Sequence, residues 1–255
     1  MADDAQYFFD LPAGERYAPD RFVRGDANSD PLDHVLAWPE WPNPVLCIVG
    51  PKVSGKTHLA RIWAARAEAV FIAGPDLTDA RAHGVGDGKP VVIDDADCCP
   101  DADGLFHLFN HVVYGGGSLL LTATRAPAAW AIDRDDLRTR MNTVFTQTIG
   151  PPDDALLAGI IVKRVQDEGL TIPQDVVSYM TQRIDRSYAA QNAVIDALVG
   201  EAQSDFKPIT KLMARKYIAE PAEPAARAEP AERSEPGGSG GKGGPDEPSG
   251  PEKPD

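Results

Sequence analysis

The chain has 255 residues, 42% of them hydrophobic and 25% charged, with a formal net charge of −14, enough length for a sizeable core in one large domain or two small ones. A surface that acidic repels a phosphate backbone at long range, which argues against direct nonspecific DNA binding and routes any DNA contact through a partner. No apolar run reaches the ~18 residues of a membrane span, and Asp3 and Asp4 stand where a secretory leader carries positive charge, so a cytoplasmic protein with no membrane partner is expected.

The first dozen residues pose a question. Gln6-Tyr7-Phe8-Phe9-Asp10-Leu11-Pro12 is strongly apolar for a terminus, and such segments are usually polar unless something ties them down. It docks either on its own domain or on something else.

From Val45 to residue 150, short apolar runs alternate with helical patterns. Val45 to Val49, Val70 to Ala73, Val91 to Asp94, Leu119 to Thr122 and Thr143 to Ile149 read as strands, and the first four are continuous enough to be buried on both faces of a mainly parallel sheet. This is a three-layer α/β pattern.

Gly50-Pro51-Lys52-Val53-Ser54-Gly55-Lys56-Thr57 satisfies G-x-x-x-x-G-K-[ST] at every fixed position. It follows the apolar VLCIV and precedes a helical pattern over Leu59 to Ala67, with His58 immediately after the motif. Its glycines let backbone N–H groups curl around phosphates at a helix N-terminus. Lys56 is suited to neutralise the β and γ phosphates, and the Thr57 hydroxyl to ligate Mg²⁺.

Val91-Val92-Ile93-Asp94-Asp95 ends a buried strand in two carboxylates, costly in a core and sensible beside a metal. Asp94 is assigned to the magnesium shell and Asp95 to orienting the attacking water; the alternative is a turn cap. Cys98 and Cys99 follow, adjacent and without the second spaced pair that zinc requires, so with Cys47 they read as structural thiols. His107 and His111 have the i, i+4 spacing of metal ligands, but with no Glu between them and no third ligand nearby in sequence, packing is the expectation.

Thr122-Ala123-Thr124-Arg125 closes the fourth strand where Thr124 could reach a γ phosphate. In Asp136-Leu137-Arg138-Thr139-Arg140-Met141, an arginine at the domain edge either stabilises charge on a phosphoryl group held by a neighbouring molecule or lies on a solvated helix.

After Gly150-Pro151-Pro152 the pattern becomes helical, over Asp153 to Glu168, Pro173 to Ile184, Ser187 to Gln203 and Pro208 to Ile218. From Glu220 to Asp255, eight Pro and seven Gly among 36 residues, with nothing aliphatic larger than Ala, predict disorder.

The ordered set of Arg21-Phe22-Val23 with Asn28, GPKVSGKTHL, VVIDDAD, LFHLFNHV, LLLTATRAP, DLRTRM and RIDRSYAAQNAVIDAL resembles the AAA+ module of DnaA-type replication initiators, and more closely the shorter Hda/HdaA regulators. The resemblance spans residues 1 to about 218. It implies an AAA+ P-loop NTPase with a parallel five-stranded sheet over residues 15–150, a small all-α lid over 151–219 and a disordered tail over 220–255. It puts the Phe22 to Asn28 segment, with Phe22 and Val23, near the adenine of bound ADP or ATP with Mg²⁺, makes Thr124 a sensor 1-like residue and makes Arg140 an arginine finger acting in trans. At the lid position where most members carry a sensing arginine this chain has Ala189, and Arg186, about one turn earlier, is the substitute.

Residues 1–14 are then a peptide for the DNA polymerase III sliding clamp, Gln6 fixing register and Phe9 and Leu11 filling apolar pockets. The implied activity is negative regulation of replication initiation by stimulating hydrolysis of DnaA-bound ATP, with DNA reached only through the clamp and a homodimer allowed. Replacement of the usual acid by Thr124, together with Ala189, makes the chain's own ATPase weak or absent. The alternatives are an ATPase of the helicase-loader or clamp-loader type and a nucleotide-gated adaptor without catalysis.

Overall fold

The computed structural model describes residues 17–86, 88–205 and 207–218. The expectations for residues 1–14 and for the tail from 220 lie outside the described residues.

Five parallel strands form one sheet in the order β2-β3-β4-β1-β5: β1 (Val45–Val49), β2 (Val70–Ala73), β3 (Val91–Asp94), β4 (Leu119–Ala123) and β5 (Phe145–Thr148). Cys47 pairs with Leu121 of β4 and with Thr146 of β5, which puts β1 inside the sheet. Every residue of β1 and β4 is buried, as their unbroken aliphatic runs predict.

Alternation along the strands sorts their side chains onto two faces. Val45, Cys47, Ile93 and Leu121 pack with Leu105, Leu108 and Val112 of α4 (Ala102–Tyr114) and with Leu137 and Met141 of α5 (Asp135–Met141). Leu46, Ile48, Val92 and Leu120 meet Leu59, Ile62 and Trp63 of α2 (Lys56–Ala67) and Leu32 and Val35 of α1 (Ser29–Leu36). Both faces are therefore covered by helices, the three-layer α/β arrangement.

Two expectations need correction. β2 is not buried on both faces: it is an edge strand, and only Ile72 of its four residues is fully covered. Helix α2 begins at Lys56 rather than Leu59, because the last motif residues are themselves its first turn, entered through Gly55 at φ 98°.

Beyond the sheet, α6 (Asp154–Asp167), α7 (Gln174–Thr181), α8 (Tyr188–Asp205) and α9 (Lys211–Tyr217) share an apolar core of their own, which includes Leu157, Ile161, Val177, Met180, Ile195 and Leu198. The Asp153 carboxylate accepts from Leu156 N at 2.7 Å and starts α6. The Tyr188 hydroxyl donates to Gly150 O at 3.1 Å and ties α8 to the end of the strand region. Among the described residues no helix is long and apolar enough to cross a membrane.

Candidate nucleotide-binding site

The loop from Gly50 to Gly55 leaves the C-terminal end of β1, with β4 on one side and β5 on the other, a usual place for a ligand crevice in such sheets. Val53 at φ 65° and Gly55 at φ 98° take left-handed conformations that coil the loop ahead of α2. A Cβ at Gly55 would lie 3.2 Å from the Phe22 ring, so the N-terminal segment sits directly on the loop.

Lys56 is 5% exposed and its Nζ donates to Gly50 O at 3.1 Å and Pro51 O at 2.8 Å. Burial holds this ammonium below its ordinary value, against the opposing pull of Asp95 and Asp94. A buried ammonium whose hydrogen bonds go to two neutral carbonyls, with no carboxylate in direct contact among the described residues, is suited to an incoming polyphosphate. The Ser54 hydroxyl is buried without a partner, as expected of a loop shaped for a ligand.

Thr57 Oγ1 lies 2.9 and 3.2 Å from the two Asp94 oxygens, so the pair proposed to share a divalent ion does converge. A residue that sequence reasoning missed completes the arrangement. Thr122, fully buried in β4, donates to Asp94 Oδ1 at 2.6 Å and accepts from Asp95 N at 2.9 Å. Its signal was a hydroxyl interrupting an otherwise aliphatic buried run, affordable only with bonded partners.

Asp95 is held at φ 54°, and a Cβ on neighbouring Gly74 would come within 2.3 Å of its carbonyl oxygen. Burial pushes its carboxyl up, with Asp94 adding to the rise and Lys56 opposing it. Thr124 is turned elsewhere: its N–H donates to Asp97 Oδ2 at 2.9 Å and its hydroxyl bonds the same oxygen.

Beside the loop an open cleft of about 660 Å³ is lined by Arg21, Phe22, Val23 and Asn28, by Val53, Ser54, Gly55 and His58, and by Ile160, Lys163, Arg164, Tyr188 and Asn192. Asn28 fixes the first wall, donating to Val23 O at 3.0 Å while its Oδ1 accepts from Gly25 N at 2.9 Å. His58 packs edge-on against Tyr17 and Phe22, and its buried Nε2 has no partner. Burial pushes the imidazole down to about 4, Lys163 adding to the effect, so the ring is neutral at pH 7. An apolar cleft with an unpartnered ring nitrogen, next to a phosphate loop, suits a nucleobase.

Arg186 is not brought to this cleft. It is exposed on the surface and pairs with Asp154 Oδ1 at 3.1 Å, leaving Lys163 and Arg164 as the helical region's cations at the cleft. The reason is position: Arg186 precedes α8, and the residues of α8 that face the cleft are Tyr188 and Asn192. Arg164 donates to Asn192 Oδ1 at 3.0 Å and pairs with Asp196, while Lys163 pairs with Asp167.

Arg140 lies apart, half-exposed on α5 and not among the cleft residues. Its guanidinium carbon is 5.4, 5.8 and 5.6 Å from the ring centroids of Phe106, Phe109 and Tyr114, and it donates to the Tyr114 hydroxyl at 3.3 Å. Gln6, Phe9 and Leu11 lie outside the described residues.

No family model matches the chain. Over 115 residues it is 27% identical to the chromosomal replication initiator protein DnaA of Thermomicrobium roseum, a match that takes in 45% of this chain and 25% of that protein. The chain thus spans about a quarter of that relative's length. Domain III of the Thermotoga maritima replication initiation protein DnaA superposes with a TM-score of 0.67 at 22% identity, covering 82% of this chain and 99% of that one. A replication initiator DnaA bound to AMPPCP and single-stranded DNA gives 0.58 at 16% identity, over 75% of this chain and 68% of that one. The Thermotoga maritima RuvB Holliday junction branch migration motor gives 0.61 at 16% identity, over 81% and 72%. The α/β body with its parallel five-stranded sheet therefore has the fold of AAA+ P-loop NTPases, the fold these DnaA and RuvB structures share.

Proposed function

We propose that this chain is a nucleotide-holding AAA+ regulator of chromosome replication that presents Arg140 to ATP carried by a DnaA-type initiator, driving that initiator to its ADP form. The reading rests above all on the state of Arg140. Arg134 pairs with Asp103 and Asp136, and Arg138 with Asp135, whereas Arg140 has no carboxylate partner among the described residues. It is a cation steadied by aromatic faces and left without a counter-ion at the rim, the condition in which a guanidinium can stabilise charge developing on another molecule's phosphate.

The chain's own nucleotide, ADP or ATP with Mg²⁺, falls to Lys56 and the loop N–H groups at the phosphates, to Thr57 and Asp94 at the ion, and to His58, Phe22 and Val23 beside the base. When bound, it would supply the negative charge that Lys56 and the loop N–H groups are placed to hold, beside a cleft lined by residues of both the sheet region and the helical region. The fit is supported by the unpartnered Ser54 hydroxyl and His58 Nε2. The tether is the peptide around Gln6, Phe9 and Leu11, docking on the DNA polymerase III sliding clamp, which raises the effective concentration of the finger near a clamp-associated initiator.

Turnover of initiator-bound ATP, measured with clamp-loaded DNA, tests both parts. Arg140→Ala is expected to abolish stimulation, and Gln6→Ala with Leu11→Ala to abolish its dependence on the clamp. Full stimulation by Arg140→Ala protein rejects the finger.

A second reading, an ATPase working on its own nucleotide, is favoured by Asp95, whose raised carboxyl stands beside the Lys56 site. It requires measurable ATP turnover by the chain alone that Asp95→Asn removes.

A further inference from the structure

His107 was paired in sequence with His111, yet the fold gives it different company. His111 turns to Val85 O at 2.7 Å, while His107 faces α3 (Asp79–His83) across the α3–α4 contact. Asp79, His83 and His107 each bring one candidate ligand atom within 4.8 Å of the others. The two imidazole centroids are 5.2 Å apart. The two further ligand-type groups, Asp79 and His83, come from a short helix more than twenty positions upstream, a separation no linear spacing rule detects.

We propose that Asp79, His83 and His107 form a binding site for a divalent transition-metal ion of the zinc class, clasping α3 to α4. His83 Nδ1 lies 2.8 Å from Asp79 O, and since a carbonyl can only accept, the ring donates Nδ1–H there and leaves Nε2 with its lone pair bare. This is the outer hydrogen bond that metal-binding histidines ordinarily make. Asp79 Oδ1 is 3.3 Å from His83 Nδ1 and 3.9 Å from His107 Nε2, so the carboxylate stands within reach of both rings.

The backbone at Asp79 is anchored to the start of α4. Asp79 N donates to Asp101 Oδ2 at 2.9 Å, and Asp101 Oδ1 accepts from Gly104 N at 2.8 Å. A Cβ on Gly104 would lie 2.9 Å from Asp79 N, so the two helices meet backbone to backbone at this point. Small rotations of exposed side chains bring ligand atoms to the ~3.3 Å separation that bonds of about 2.0–2.1 Å demand in a tetrahedron. Two imidazoles and one carboxylate suit zinc, cobalt, nickel or copper, whereas magnesium takes oxygen ligands; the site shares no residue with Thr57 and Asp94.

Cobalt(II) and zinc titrations of the nucleotide-free full chain test the site, in a Cys98→Ser/Cys99→Ser background that removes competing thiols. One equivalent of Co²⁺ with visible absorption, and one equivalent of Zn²⁺ by calorimetry with a thermal midpoint raised by a few degrees (about 2–4 °C), are expected. His83→Ala and His107→Ala each weaken binding at least about tenfold, His83→Gln does the same while keeping a polar side chain, and His34→Ala leaves it unchanged. Absence of saturable binding below ~100 μM, or equal binding by the His83→Ala/His107→Ala protein, overturns the proposal.

Discussion

The phosphate loop and the α5 rim both display basic side chains, but in opposite condition. Lys56 is buried, held by two carbonyls and set against Asp94 and Asp95, near a Ser54 hydroxyl and a His58 Nε2 that are buried without partners. Arg140 is half-exposed on aromatic faces with no carboxylate partner among the described residues. A charge that serves the chain's own ligand must be caged, because desolvation makes its position and its protonation matter; a charge meant for another molecule must stay accessible and unneutralised. On the proposed reading, the contrast separates two jobs, holding the chain's own nucleotide and acting on another molecule's.

The largest effect tests that separation directly. Arg140→Ala is expected to lower initiator-bound ATP turnover on the order of 10³-fold while leaving the chain's own nucleotide affinity within about twofold, and Lys56→Ala to lose nucleotide affinity by ~100-fold or more. Isothermal titration for the second quantity and single-turnover hydrolysis for the first measure them independently. If both variants lose both properties, the two sites are not distinct.

Thr122→Val probes how the caged side is held. The change keeps shape but leaves Asp95 N and one Asp94 lone pair unbonded, so a loss of about 1–3 kcal/mol in unfolding free energy is expected from denaturant titration. An unchanged midpoint means that the hydroxyl is not what positions Asp94.

The His58 ring sharpens the picture through pH. Its folded imidazole titrates near 4 against 6.5 for the ordinary group, so the unfolded chain binds more protons between those values. The stability this represents is complete above about pH 6.5 and is lost as pH falls toward 4, by at most about 2 kcal/mol once the ring's solvent access is allowed for. His58→Phe keeps the aromatic packing and should flatten that part of the pH profile of thermal unfolding.

The smallest effect concerns Arg186. Paired with Asp154 on the surface, it is expected to change nucleotide affinity less than about twofold when replaced by alanine. A tenfold loss by fluorescent-nucleotide titration would restore its assignment to the cleft.

Much of the fold was legible because its signals are local. VLCIV and LLLT, unbroken aliphatic runs followed by turn or motif residues, became the buried central strands, and the spacing of Gly50, Gly55, Lys56 and Thr57 followed by a helical pattern became a loop at a helix start. Within the pocket, Thr57 and Asp94 met as their residue types suggested. What the sequence could not show was which strand lies at the edge, and so how β2 is exposed, because strand order depends on crossovers rather than on any residue in the strand.

The amino-acid order by itself determined the five strands of the α/β body and the loop-to-helix turn at the phosphate motif, since backbone propensity, apolar periodicity and motif spacing act over a few residues. Only the tertiary structure decided that Thr122 grips Asp94 while Thr124 turns to Asp97, that Arg186 turns away, that Arg140 has no carboxylate partner among the described residues, and that His107 meets Asp79 and His83. Those outcomes depend on which side chains from distant segments are packed face to face, and packing between elements is settled by the whole sheet and its covering helices at once.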